Sequence, residues 1–215
     1  MNTPTPDAVG PPLGAPVLQP PRRERPILFS APMVRAILAG TKTQTRRALA
    51  PDLFISSGGA VVRMASVGPA TTGIHEAHCP YWRQPGDALW VRETFMDLGA
   101  CFLYRADAAA ESERAIVAPG QPWRPAIYMP RVASRITLEV TGLSVEQLQD
   151  ISEANALAEG IVETCGGFGL PDGSHFHAAD PRESYWSLWE AINGPGSVER
   201  NPPVWVVEFR KRQNV

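Results

Sequence analysis

Seven residues, Ser134 to Val140 (SRITLEV), alternate without exception: Ile136, Leu138 and Val140 fall on one side, and Arg135, Thr137 and Glu139 on the other. A period of two gives a strand with one face buried and one face wet. The rest of the chain has to supply a core for that face. Ala88 to Phe95 (ALWVRETF) offers a strand buried on both faces near its start, and Phe102 to Ala106 offers a partner across a short connection. Pro203 to Phe209 gives a closing strand, with Val204, Val206 and Glu208 alternating against Trp205, Val207 and Phe209. Ile127-Tyr128-Met129 has prolines at both ends, which confine it to a short edge strand.

Three helices separate these runs. Ser30 precedes a segment with Pro32 in its first turn, and Met33, Val34, Ile37 and Leu38 form one apolar face that stops at Gly40. Ser152 caps Glu153 to Glu159, with Gly160 closing it. Asp180-Pro181-Arg182-Glu183 is a capping box opening a third helix, whose stripe of Tyr185, Leu188, Trp189 and Ile192 ends at Asn193-Gly194. Such a stripe reads as core before it reads as a base-stacking platform. There is no regular βαβ alternation and no glycine fingerprint for a nucleotide. The expected fold is therefore α+β and mainly β: a small, mostly antiparallel barrel of five to six strands with about three helices over its ends.

Two stretches stand apart from this domain, which spans 26–212. Eight of the chain's 22 prolines lie in Met1 to Pro26, with almost no apolar periodicity, so residues 1–25 are expected to form a disordered arm. Residues 48–85 are rich in Gly, Pro, Ser and His and suggest an irregular insertion.

Composition narrows the function classes. No run of about 18 apolar residues appears, so no membrane span is expected, and the arm lacks the h-region of a signal peptide. Three widely spaced cysteines, Cys79, Cys101 and Cys165, argue against a disulfide framework and for a reducing cytoplasm. His75, His78 and Cys79 lack a second ligand pair at zinc-finger spacing, so no metal and no cofactor is assigned. The net charge of -2 gives no global attraction to nucleic acid, although Arg22-Arg23-Glu24-Arg25, Arg46-Arg47 and Arg210-Lys211-Arg212 are local basic clusters.

The densest polar chemistry follows the first helix: Gly40-Thr41-Lys42-Thr43-Gln44-Thr45-Arg46-Arg47. This block, within FSAPMVRAILAGTKTQTRR, resembles the opening motif of the ASCH domains, relatives of the RNA-binding PUA barrels. GDALWVRETF (Gly86 to Phe95), YRAD (Tyr104 to Asp107), SRITLEVTGLSVEQLQDISEANALAEGI (Ser134 to Ile161) and NPPVWVVEF (Asn201 to Phe209) resemble the longer ASCH proteins of phages and prophages in the same order. The resemblance implies a PUA-like barrel whose cleft takes RNA or a modified nucleoside or nucleotide. A small branch of that family hydrolyses N4-acetylcytidine with a lysine base, a threonine nucleophile and a glutamate acid. Carried onto this chain, these roles fall on Lys42, Thr45 and Glu159. A phage accessory protein, docking a partner through its proline-rich arm, is a further alternative.

Physical chemistry sets the conditions for that trio. A threonine hydroxyl needs a neighbour to take its proton, and lysine can do so only where burial lowers its pKa. Thr43, Arg46, Arg47, Trp90 and Arg92 are candidates for contacting a nucleic acid or nucleoside ligand, the arginines through phosphate. Ideal strand alternation places Thr43, Thr45 and Arg47 on one face and Lys42, Gln44 and Arg46 on the other. Lys42 and Thr45 therefore converge only if Lys42 lies in the turn after Gly40 or a bulge intervenes. The bland reading of Lys42 is a cation satisfying carbonyls at a helix end.

Overall fold

The computed structural model describes residues 23–56, 61–64, 74–76, 79, 86–108 and 122–212. Its fold is α+β and mainly β. The central sheet contains β1 (Glu24–Leu28), β2 (Gln44–Ala48), β6 (Ala88–Arg92), β9 (Thr137–Gln147) and β12 (Pro203–Lys211), in the order β1-β6-β9-β12-β2. β1 runs parallel to β6, and the other three ladders are antiparallel. β1 and β2, the two ends of that order, do not pair with each other through the backbone among the described residues. A side chain links the two strands instead: Arg47 Nη2 donates to the Leu28 carbonyl at 2.7 Å.

The alternation in Ser134 to Val140 is realised, with Ile136, Leu138 and Val140 at most 2 % exposed. They pack with Leu89 and Val91 of β6, with Val204, Val206, Val207 and Phe209 of β12, and with helix α1 (Ala31–Ala39). β12 buries residues of both parities because it packs into the main core through Val204, Val206, Val207 and Phe209 and into a second cluster with Leu49, Val61 and Cys79 through Trp205. β9 continues to Gln147, beyond the alternating run, because β12 pairs with it along its whole length. Gly142 lies where that ladder shifts register at Glu208, and a Cβ there would meet the Glu208 carboxylate.

Helix α1 ends as expected, at Gly40 with φ 81°. Ser30 occupies the N-cap position without a side-chain hydrogen bond, and Leu38 is 38 % exposed, so the buried stripe is Met33, Val34, Ala36 and Ile37. In helix α2 (Glu153–Ala158) the Ser152 hydroxyl accepts from the Asn155 amide, and in α3 (Pro181–Asn193) the Asp180 carboxylate accepts from the Arg182 amide. Ile192, expected in the buried stripe of α3, is 65 % exposed.

Other expectations need correction. Ala126–Tyr128 is a 3-10 turn rather than an edge strand, closed by the Tyr128 and Met129 amides onto the carbonyls of Pro125 and Ala126. Within 48–85, where no regular structure was expected, β3 (Leu53–Ile55), β4 (Val61–Met64) and β5 (Ile74–Glu76) form an antiparallel sheet. These strands are three or four residues long, too short for periodicity to register. Leu49, Val61 and Cys79 bury themselves there against Trp205. Hairpins β7 (Phe95–Asp97) with β8 (Phe102–Tyr104), and β10 (Val162–Thr164) with β11 (Gly167–Gly169), complete the fold. Glu24 and Arg25 belong to β1 rather than to the arm; residues 1–22 lie outside the described residues, as does His78. No helix among the described residues is long and apolar enough to cross a membrane.

Candidate functional site

Lys42 precedes β2, and its backbone forms an isolated bridge with Glu159, the residue that caps the C-terminus of α2. The turn after Gly40 creates this position. The amides of Thr41 and Lys42 both donate to the Ala36 carbonyl, and the Thr43 amide then donates to Ala158. Lys42 is thus tied to two helix ends before regular pairing begins at Gln44, and strand alternation does not govern it. Gly160 completes the seam with φ 99°, its Cα so close to α1 and Lys42 that an added Cβ would lie 3.1 Å from Ala36 Cβ and 3.3 Å from Lys42 Cβ.

The Lys42 and Glu159 side chains meet in the interior, only 3 % and 4 % exposed as residues. Lys42 Nζ donates to Glu159 Oε2 at 2.7 Å and to the Glu159 carbonyl at 2.6 Å. Lys42 Nζ therefore does sit at a helix C-terminus, but at that of α2 rather than that of α1. The other carboxylate oxygen, Oε1, accepts from Arg46 Nη1 at 3.1 Å, and Arg46 Nε donates to Glu146 Oε1 at 2.7 Å. Four charged side chains from β2, β9 and the ends of α1 and α2 form one chain: Lys42, Glu159, Arg46, Glu146.

Burial holds the Lys42 amine below the ordinary lysine value; Glu159 opposes the shift, and Arg47 and Arg46 add to it. Arg46 is held above its ordinary value, because Glu159 and Glu146 more than offset the burial of its charge. Burial and the nearby Glu159 push the Tyr185 phenol well above its usual range, so it stays protonated.

A cavity of about 390 Å³ opens on this chain. Thr45, Lys42, Glu159, Arg46 and Arg47 supply its polar wall, and Phe29, Met33, Tyr185, Leu188, Trp189 and Ile192 its apolar wall. β2 is the terminal strand of the sheet, so consecutive residues from both of its faces reach the cavity at the sheet edge. Lys42 and Thr45, which ideal alternation would separate, line the same space.

The remaining sequence candidates lie elsewhere. Thr43 is exposed, and its backbone links Ala158 to Phe209. Trp90 is buried at 8 % exposure beneath Arg92, whose guanidinium carbon lies 4.7 Å from the ring centroid and whose Nη1 donates to the Ile127 carbonyl. Neither lines the cavity.

Sequence reasoning missed Glu146, a charged residue at the end of a strand with nothing local to mark it. Tyr185 and Trp189 were visible as a stripe, and they serve both as core and as cavity wall.

Neither family models, nor curated proteins, nor solved structures match this chain. The chemistry of the site has to be read from its own residues.

Proposed function

We propose that this chain is an ASCH-type protein whose cavity takes one acylated nucleobase or nucleoside and hydrolyses its exocyclic amide. The observation that carries this reading is the buried Lys42–Glu159 pair lining one cavity with Thr45. Family membership rests on the sequence resemblance. The size of the cavity falls within the range of small-molecule sites, roughly 300–1,000 Å³, and suits a single nucleoside better than a polynucleotide strand.

The chemistry follows from the environment of each group. Lys42 spends two hydrogen bonds on Glu159, and a neutral amine has two N–H groups to give, leaving its lone pair for a proton. Burial favours that neutral form. The Thr45 hydroxyl, relieved of its proton, attacks the acyl carbon. The apolar wall of Phe29, Trp189 and Leu188 excludes water from a planar base and strengthens the polar contacts.

The test is release of cytidine and acetate from N4-acetylcytidine, followed by chromatography. Wild type is expected to turn over, and Thr45→Ala, Lys42→Ala and Glu159→Ala are each expected to lose at least about a hundredfold in kcat. Equal inactivity of wild type and variants would overturn the hydrolytic reading. Calorimetric titration with N4-acetylcytidine would then show whether the cavity binds the nucleoside without cleaving it.

A further inference from the structure

The site holds two ion pairs beyond Lys42–Glu159: Arg46 with Glu159 and Arg46 with Glu146. Arg46 has no exposed side-chain surface, although it lines the cavity and its Nη2 has no hydrogen-bond partner among the described residues. Its Nε is spent on Glu146, and its Nη1 approaches both Glu159 Oε1 and, at 3.4 Å, Gln44 Oε1. Its guanidinium carbon lies 5.9 Å from the centre of the Tyr185 ring. Arg46 thus links Glu146, on β9, to the Glu159 carboxylate that holds Lys42.

We propose that Arg46 and Glu146 are positioning residues that clamp the Glu159 carboxylate against Lys42, leaving Lys42 to carry the proton in both directions of the reaction. This inference rests on the hydrolytic reading of the cavity and reassigns the role of the glutamate within it. Glu159 accepts from the Arg46 guanidinium on one oxygen and from Lys42 Nζ on the other, so both of its oxygens are already engaged as acceptors. A group so held is a poor proton donor, whereas Lys42 becomes a donor as soon as it has accepted the Thr45 proton.

The sequence then balances. The Thr45 hydroxyl proton passes to the Lys42 amine as Oγ bonds to the acyl carbon. The C–N bond breaks, and the Lys42 ammonium gives that proton to the departing exocyclic nitrogen, leaving an acyl ester on Thr45. Water loses a proton to Lys42 and attacks the ester, the C–O bond breaks, and the proton returns to Thr45 Oγ. The net change is amide plus water to amine plus carboxylic acid. Through every step the Glu159 carboxylate and carbonyl oxygens hold Lys42 Nζ in place.

Among the described residues, the groups facing Lys42 are Glu159 at the end of α2, Arg46 and Arg47 from β2, and the Phe29 ring, 5.7 Å from Nζ. The chain has two lysines, Lys42 and the exposed Lys211. Full-length protein labelled with 13C at lysine Cε therefore gives two signals, which Lys211→Arg assigns without touching the site.

Titration of the Lys42 signal by NMR tests the clamp independently of turnover. Arg46→Gln removes a cation beside Lys42, so its midpoint is expected to rise, and Arg46→Lys is expected to restore it. Glu146→Gln frees Arg46 to draw more closely onto Glu159, so the midpoint is expected to fall. General loosening of the fold would hydrate Lys42 and move it toward Lys211 instead. A Glu146→Gln midpoint that stays in place or moves toward Lys211 overturns the proposal.

With N4-acetylcytidine as probe, kcat is expected to rise along a single limb that tracks each Lys42 midpoint, while KM changes less than about twofold. A bell-shaped profile, with activity lost as a carboxylic acid deprotonates, would return the acid role to Glu159. A wild type without turnover removes the hydrolytic reading while the lysine titration still decides the clamp.

Discussion

Lys42 Nζ and Glu159 Oε2 lie 2.7 Å apart with side chains 2 % and 5 % exposed, although 117 residues separate them in the chain. The pair is held by main chain as well as by charge, since the two residues also form a backbone bridge. Burying two charges costs more than their attraction returns unless the remaining hydrogen-bonding capacity is met. Here the Glu159 carbonyl accepts from Lys42 and Arg46 donates to the second carboxylate oxygen, while Arg46 Nη2 has no hydrogen-bond partner among the described residues.

The first prediction separates the two partners. Glu159→Ala leaves both Lys42 and Arg46 facing a lost carboxylate in the interior, and it is expected to cost about 3–5 kcal/mol. Lys42→Ala leaves Glu159 still accepting from Arg46 and is expected to cost less, about 2 kcal/mol. Urea denaturation measures both, and a larger loss for Lys42→Ala would contradict the arrangement.

The same burial sets a pH dependence. The folded-state pKa of Lys42 lies below its unfolded value, so between the two the unfolded chain binds more protons and stability rises with pH. The gain is complete above the unfolded lysine value and is lost as pH falls through the folded one. Tyr185 acts oppositely: its raised folded value makes stability fall as pH climbs through the ordinary tyrosine range and beyond. Subtracting the profile of Lys42→Met from that of wild type isolates the lysine. The difference is expected to grow in favour of wild type as pH rises toward 10, and a flat difference would contradict the shift.

Legibility in the sequence followed length and repetition. Ser134 to Val140 announced its burial because seven alternating residues leave one arrangement, and Gly40 announced a stop because its φ of 81° suits no other residue as well. Leu38 and Ile192 misled because a helical stripe defines a face without saying how much of it a neighbour covers. The strands β3 to β5 were invisible for want of length. At the site, Lys42 and Thr45 were legible by kind, whereas their convergence depended on a bridge to Glu159 made far along the chain. Glu146 carries no local mark, since its role comes only from reaching Arg46 across β12.

Not every buried carboxylate belongs to the cavity. Glu93 is 1 % exposed and receives two hydrogen bonds from Arg135, at 2.9 and 3.0 Å, while Asp107 receives two more at 2.6 and 2.9 Å. Burial raises the Glu93 pKa, and Arg135 opposes that rise. Arg135→Ala should therefore destabilise by about 2–4 kcal/mol, allowing for the partial exposure of the arginine. Arg135→Ala/Glu93→Gln should recover part of the loss. Because these groups do not line the cavity, KM for N4-acetylcytidine is expected to hold in the folded variants. A shifted KM would tie this second cluster to the site.

Gly160 offers the sharpest test of how the site is built, because Gly166 supplies its control. Both have positive φ, 99° and 90°, so alanine at either meets a left-handed backbone penalty of about 1–2 kcal/mol. At Gly166 nothing lies within 4 Å of the added Cβ, whereas at Gly160 it presses on Ala36 Cβ at 3.1 Å and on Lys42 Cβ at 3.3 Å. Those atoms belong to a helix and to a lysine pinned at both its backbone and its amine, so neither yields easily. Gly160→Ala is thus expected to cost more stability than Gly166→Ala. It should also move the Lys42 NMR signal, which Gly166→Ala should leave in place. Equal stability losses with an unmoved Lys42 signal would mean that the seam between α1, α2 and β2 is looser than its contacts imply.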